Sequence, residues 1–161
     1  MLKKITFAAM LLISIASCNS KAALNYSEEF VKKEMSLMND VNATENKVER
    51  YAQAMQYDSI AIAGEKMEQL VEAKIQEIKK APVPDVKEGE NFKEACLKYF
   101  GFIKMMYTDY KEFGRAATEE EREVVKNKII ELTNTKQQAM DAIKAAQKKF
   151  ADANGFRLEK Q

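Results

Sequence analysis

The side chains that could do chemistry in this chain are few, and their types limit what that chemistry could be. There is no histidine among the 161 residues. That removes the Glu-x-x-His ligands of di-iron bundles, histidine-ligated haem, zinc-protease helices and every dyad or triad that needs an imidazole base. The glycines at 64, 89, 101, 114 and 155 are too scattered to form a phosphate-cradling loop. Ser–Lys and carboxylate-pair catalysis have their residue types here but no spacing that points to either, so the chain is expected not to be an enzyme and to hold no metal or cofactor.

What remains has two readings in each case. Met35, Met38, Met55, Met67, Met105, Met106 and Met140 could hold copper(I) through thioethers, but most sit in apolar stripes, where methionine fills gaps. The run "TEEERE" (118–123) could bind calcium, or place acids where a helix dipole favours them. The aromatics of "YFGFIKMMYTDY" (99–110), with Phe92 and Phe113, fall within an arc of roughly 160° on a helical wheel, so one wide buried face accounts for them. Phe100 and Phe102 mark the edges of that arc, where a partner surface or lipid groove could form, and Met105 falls off it toward solvent. Cys96 reads as a small core residue. Glu45 is out of place on the apolar stripe of a helix, where a charge costs stability unless paired; Lys136, on the apolar stripe of the last helix, is its expected partner, with Asn42 or Thr133 taking leftover hydrogen bonds.

Cys18 closes a different kind of segment. Lys3 and Lys4 precede an apolar run from Ile5 to Ile15, broken only by Thr6 and Ser14, that exits through Ala16 and Ser17. Eleven helical residues reach about 16 Å against a hydrocarbon core of roughly 30 Å, too short to span. Basic start, short apolar run and small-residue exit together make a secretory signal. Ile15-Ala16-Ser17-Cys18 resembles the lipobox of bacterial lipoprotein precursors. The resemblance implies a diacylglycerol on the Cys18 thiol, cleavage between Ser17 and Cys18, and acylation of the new amine, including palmitate. Two or three acyl chains anchor a protein durably without a spanning helix. Asn19 after the cysteine, where an Asp would favour inner-membrane retention in enteric-type Gram-negative bacteria, implies the outer membrane of a Gram-negative cell envelope.

Removal of residues 1–17 takes away two lysines and no acid, turning a formal charge of +1 slightly negative. A balance so close to zero gives no reason to expect nucleic acid or an anionic membrane surface as partner. With Cys18 lipidated, Cys96 has no disulfide mate.

The rest of the chain must position these groups, and it is helix-forming stock broken once, at the two prolines of "APVPDVKEG" (81–89). After a lipidated tether over 18–25, Ser27 is expected to cap a first helix reaching Tyr57. Asp58 and Ser59 then turn the chain into a second, with Ile60, Met67, Val71 and Ile78 on its stripe. A third is expected from about Asn91 to Gly114. A fourth starts on a capping box, Thr118 with Glu121, and stops at Asn154-Gly155, with Phe156 folding back on the last turn. Four amphipathic helices with short connections between the first and second and between the third and fourth predict an all-α, antiparallel up-down-up-down bundle over residues 26–161, behind a cleaved signal peptide at 1–17. The body also loosely resembles small helical-bundle lipoproteins of Gram-negative bacteria, a resemblance that carries no functional residues. The expected function is that of a non-catalytic binding or interaction module, attached to the membrane through N-terminal acyl chains and meeting a protein or other envelope component with its distal end or flanks. The alternatives are a carrier of a small apolar ligand or lipid between the helices and, third, a cryptic enzyme.

Overall fold

The apolar stripes and stop signals fold as four long helices: α1 (Cys18–Gln53), α2 (Tyr57–Lys80), α3 (Gly89–Arg115) and α4 (Glu119–Asn154). The computed structural model describes Leu12–Ile13 and residues 18–158. The rest of the expected leader, including the lipobox residues Ile15, Ala16 and Ser17, lies outside the described residues. Leu12–Ile13 pairs antiparallel with Arg157–Leu158 in a two-residue ladder. The fold is all-α, with the helices packed on one another, and none of them is long and apolar enough to cross a membrane.

Local chemistry sets the helix ends. At the start of α4 the Thr118 hydroxyl accepts from the Glu121 N–H at 3.2 Å while the Glu121 carboxylate accepts from the backbone of Thr118 and Ala117, closing the expected capping box. At its other end Gly155 takes a left-handed φ of 70°, which a residue without Cβ adopts at no cost. The Phe156 N–H then reaches back to the Ala151 carbonyl and its ring buries against Phe150. The end of α1 uses the same device with an unlikely residue: Met55 sits at φ 53°, its N–H on the Ala52 carbonyl and that of Gln56 on Tyr51. Three boundaries differ from expectation. The first helix runs back to Cys18 through residues 18–25, expected as a tether, so Ser27 is not its cap but a fully buried residue within it. It also stops at Gln53 rather than Tyr57, and Tyr57 opens α2. The third helix starts at Gly89, after Glu88 turns the chain at φ 60°.

Packing is closest between α2 and α3. A Cβ at Gly64 would stand 2.6 Å from the Lys111 nitrogen, and one at Gly114 would press into the Ala61 nitrogen and the Tyr57 carbonyl; only glycine lets the backbones meet this closely. Ion pairs Glu68–Lys111 and Glu72–Lys104 line the same seam. Rings fill the centre: Phe92 stacks on Phe150 at 4.8 Å, and Phe30 meets Phe92, Tyr99 and Phe100 edge-on. The helix termini gather at two ends. At one, Ser20 donates to the Asn154 carbonyl, Asn154 to the Lys87 carbonyl, and Lys93 to the carbonyls of Lys79 and Ala81. At the other, Tyr57 packs on Phe113 and under the Arg122 guanidinium.

Candidate functional site

Cys18 is the first residue of α1 and is exposed. Its thiol stands at the end of the fold where α1 begins, within two residues of the Ser20–Asn154 hydrogen bond. A helical residue in that position presents its side chain to whatever lies beyond that end of the molecule.

The second group of candidate residues lies inside. Ser20, Ser27, Glu34, Val41 and Val48 recur every seven residues on α1, a spacing that keeps one row facing the neighbouring helices. Its half nearer Cys18 is polar, and each polar member has a partner: Ser20 on Asn154, Ser27 accepting from Gln147 at 3.1 Å, and Glu34 accepting from the Tyr99 hydroxyl at 2.8 Å. Glu45 lies four residues after Val41 and three before Val48, beside this row. Its carboxylate accepts from Tyr110 at 3.0 Å, and the buried Tyr107 hydroxyl acts on it as well, lowering its carboxyl. The two carboxylate–tyrosine stations are therefore equivalent: eleven residues separate Glu34 from Glu45, and eleven separate Tyr99 from Tyr110. That interval is close to three helical turns, so the same faces of α1 and α3 meet twice.

Each station also faces a lysine of α4, Lys144 toward Glu34 and Lys136 toward Glu45. Both lysines act through space; among the described residues neither forms an ion pair with its glutamate. Burial raises both carboxyls above the ordinary glutamate value, against the lowering effect of the tyrosine hydroxyls and lysines. Desolvation lowers Lys136, which Glu45 partly offsets. Tyr99, Tyr107 and Tyr110 are pushed up by burial first and by the neighbouring carboxylates next, so they stay neutral donors. The arrangement can hold α1 in register on α3.

Glu45 and Lys136 are thus both half-buried and electrostatically coupled, while the direct hydrogen bond to Glu45 comes from Tyr110 of α3. Neither Asn42 nor Thr133 supplies them: Asn42 is exposed, and Thr133 donates to the Ile129 carbonyl of its own helix. The tyrosines were legible in principle, because a tyrosine on a buried face needs a partner for its hydroxyl where a phenylalanine does not.

The other candidates take ordinary places. Met67 is buried and Met38, Met106 and Met140 pack against the core, but Met35 and Met55 are exposed, as is Met105. In "TEEERE", Glu121 serves the cap, Glu119 pairs with Arg122 and Glu123 with Lys126. Cys96 is buried with its thiol pushed up by burial. Phe100 is fully buried, and Phe102 half-buried. A surface groove of about 300 Å³ runs between α3 and α4 over Ala95, Tyr99, Ala139 and Ala142, with Glu94 and Lys98 on its rim.

No model of a protein family matches the chain, and no curated protein or solved structure matches it.

Proposed function

We propose that this chain is the precursor of a lipid-anchored envelope protein that works as a non-catalytic interaction module. The observation that carries the reading is the sequence Ile15-Ala16-Ser17-Cys18 behind a basic, apolar leader. Cys18 is exposed at the head of α1, which leaves its sulfur open to acylation. Cleavage after Ser17 makes α1 the first element of the mature chain and removes Leu12–Ile13 from the edge of Arg157–Leu158. Asn19 after the cysteine, where an Asp would favour retention at the inner membrane, supports delivery to the outer membrane of a Gram-negative envelope.

The helices of this reading run up-down-up-down. Contacts support that order: Glu68 with Lys111 and Glu72 with Lys104 oppose α2 and α3, Ser20 with Asn154 and Ser27 with Gln147 oppose α1 and α4, and Glu34 with Tyr99 and Glu45 with Tyr110 align α1 and α3. The end bearing Cys18 then faces the membrane. The turns at Ala54–Gln56 and Ala116–Thr118 face away from it, toward a protein or other envelope component. A core filled by stacked rings supports a module that binds with its surface rather than one that carries a ligand between its helices.

The test is metabolic labelling with a palmitate analogue together with intact mass of the product. The chain should carry acyl groups and begin at Cys18, and Cys18→Ser should abolish both labelling and cleavage at that bond. Labelling that survives Cys18→Ser would overturn the reading.

A further inference from the structure

The near-zero formal charge conceals a polarity that appears only once the chain is folded. At the end bearing Cys18, the exposed cations Lys21, Lys79, Lys80, Lys87 and Arg157 come from the start of α1, the end of α2, the 81–88 linker and the segment after α4. None of these five forms an ion pair among the described residues, whereas Lys148 and Lys149 at the same end are matched by Asp152 and Glu88. Asp85 and Glu90 are the exposed acids there that no described cation pairs. The end is contiguous: a depression of about 390 Å³ is bounded by Asn19, Ser20, Asp85, Lys87 and Asn154, and Lys93 ties the start of α3 to the end of α2.

The opposite end has the other sign. There α4 opens on Glu119, Glu120 and Glu121, Asp58 lies in the first turn of α2, and Glu49 lies near the end of α1, against Lys47, Arg50, Arg115 and Arg122; Glu112 at the end of α3 is matched by Lys128. Two of those arginines are engaged, Arg115 with Glu65 and Arg122 with Glu119.

We propose that the cationic end around Cys18 is a docking surface for anionic phospholipid, which stands the bundle upright on the bilayer with its acidic end outward. This rests on the lipid-anchor reading for proximity: acyl chains on Cys18 hold the cations at the headgroup layer, where a tether makes weak contacts effective. A dipolar bundle near a negative surface is attracted at one end and repelled at the other, within a Debye length of about 8 Å at physiological salt. An acidic protein partner would meet the same charges but has no comparable reason to lie at the anchored end. Helix dipoles explain Lys79 and Lys80 in the last turn of α2, but not Lys21, Lys87 or Arg157.

The experiment uses the purified mature protein in vesicles of phosphatidylcholine alone or with roughly 30% phosphatidylglycerol, the anionic fraction supplying the surface potential. An impermeant amine reagent labels the lysines, and mass spectrometry reads each rate. With anionic lipid, labelling of Lys21, Lys79, Lys80 and Lys87 should fall at least about threefold, and Lys47 and Lys66 should not change; about 0.5 M salt should abolish the difference. The triple variant Lys80→Gln, Lys87→Gln, Arg157→Gln should lose most of the composition dependence at Lys21 and Lys79. Lys47→Gln, Arg50→Gln, Lys66→Gln, with the same change in charge, should keep it. All six positions are exposed, and none has an ion pair among the described residues. Equal labelling in the two vesicle types, or equal protection along the whole bundle, would overturn the proposal. Intact mass of the same sample scores the anchor separately. If Cys18 carries no acyl chain the anchor reading fails, and the same labelling with anionic vesicles mixed in still decides whether the cationic end binds them.

Discussion

The Glu45 carboxylate joins three helices, and its chemistry makes it the most testable residue in the core. Burial raises the carboxyls of Glu34 and Glu45 above the ordinary value of 4.5. The folded state therefore binds these protons more tightly than the unfolded chain. Their contribution to stability is complete below the unfolded carboxyl value and is lost as pH rises through the higher folded one. Glu45→Gln, which keeps an acceptor for Tyr110 without the charge, should stabilise the domain at neutral pH and flatten the dependence of its urea midpoint on pH above about 4.5; an unchanged pH profile would show that Glu45 does not titrate abnormally. Partner choice is checked by double-mutant cycles. Glu45 with Tyr110→Phe should couple by about 1.5 to 3 kcal/mol, the range for hydrogen bonds to charged groups. Glu45 with Lys136, acting through space from a half-buried position, should couple by no more than about 1 kcal/mol. At this scale the misplaced charges were legible in the sequence, as Glu45 and Lys136 on apolar stripes. Their direct partners were not, because tyrosine reads as apolar in a helical pattern and hides its hydroxyl. The heptad Ser20, Ser27, Glu34 was equally visible but reads as surface until α4 lies against it.

Element boundaries depend on single residues whose conformation the structure reveals. Met55 occupies the left-handed position that Gly155 fills at the end of α4, and its side chain is 71% exposed, so it gains nothing from packing in return. Met55→Gly should raise stability by about 1 kcal/mol, read as a higher urea midpoint with an unchanged slope. Gly114→Ala should do the reverse, costing roughly 1 to 3 kcal/mol because its methyl would meet the α2 backbone rather than a movable side chain. Thr118→Ala should cost about 1 kcal/mol through loss of the cap. The four helices, the capping box and the Gly155 stop were readable because each rests on short-range chemistry. The start of α1 was not: residues 18–25 lack a strong stripe, and what buries Ser20 and Ala23 is the distant Asn154 end of α4 and the rings beneath it. A serine read as a cap is then simply a small residue inside a helix, satisfied by Gln147 from 120 positions away.

Across the whole molecule, the proposed anchored, upright orientation predicts where partners touch. Crosslinks from native envelopes, with the lipid left on, should concentrate at Ala54–Gln56, Ala116–Thr118 and the outer helix flanks; a specific partner crosslinking instead at Val83–Glu88 would invert the placement. The glycine-mediated closeness of α2 and α3 has one more consequence, in the order of assembly. That pair is joined by a short linker and its hydrogen bonds between side chains span 32 to 43 positions, whereas α1, apart from Lys33 on Glu77, is held by hydrogen bonds spanning 65 to 134 positions. Loop-closure entropy favours early formation of the local pair and late arrival of α1. In stopped-flow refolding, Gly114→Ala should mainly slow folding, while Glu34→Gln and Tyr99→Phe should mainly speed unfolding. On the proposed lipid-anchor reading, a first helix that docks last keeps Cys18 accessible while the rest of the chain is still collapsing, so that lipidation and cleavage would act on an unencumbered end rather than on a finished bundle.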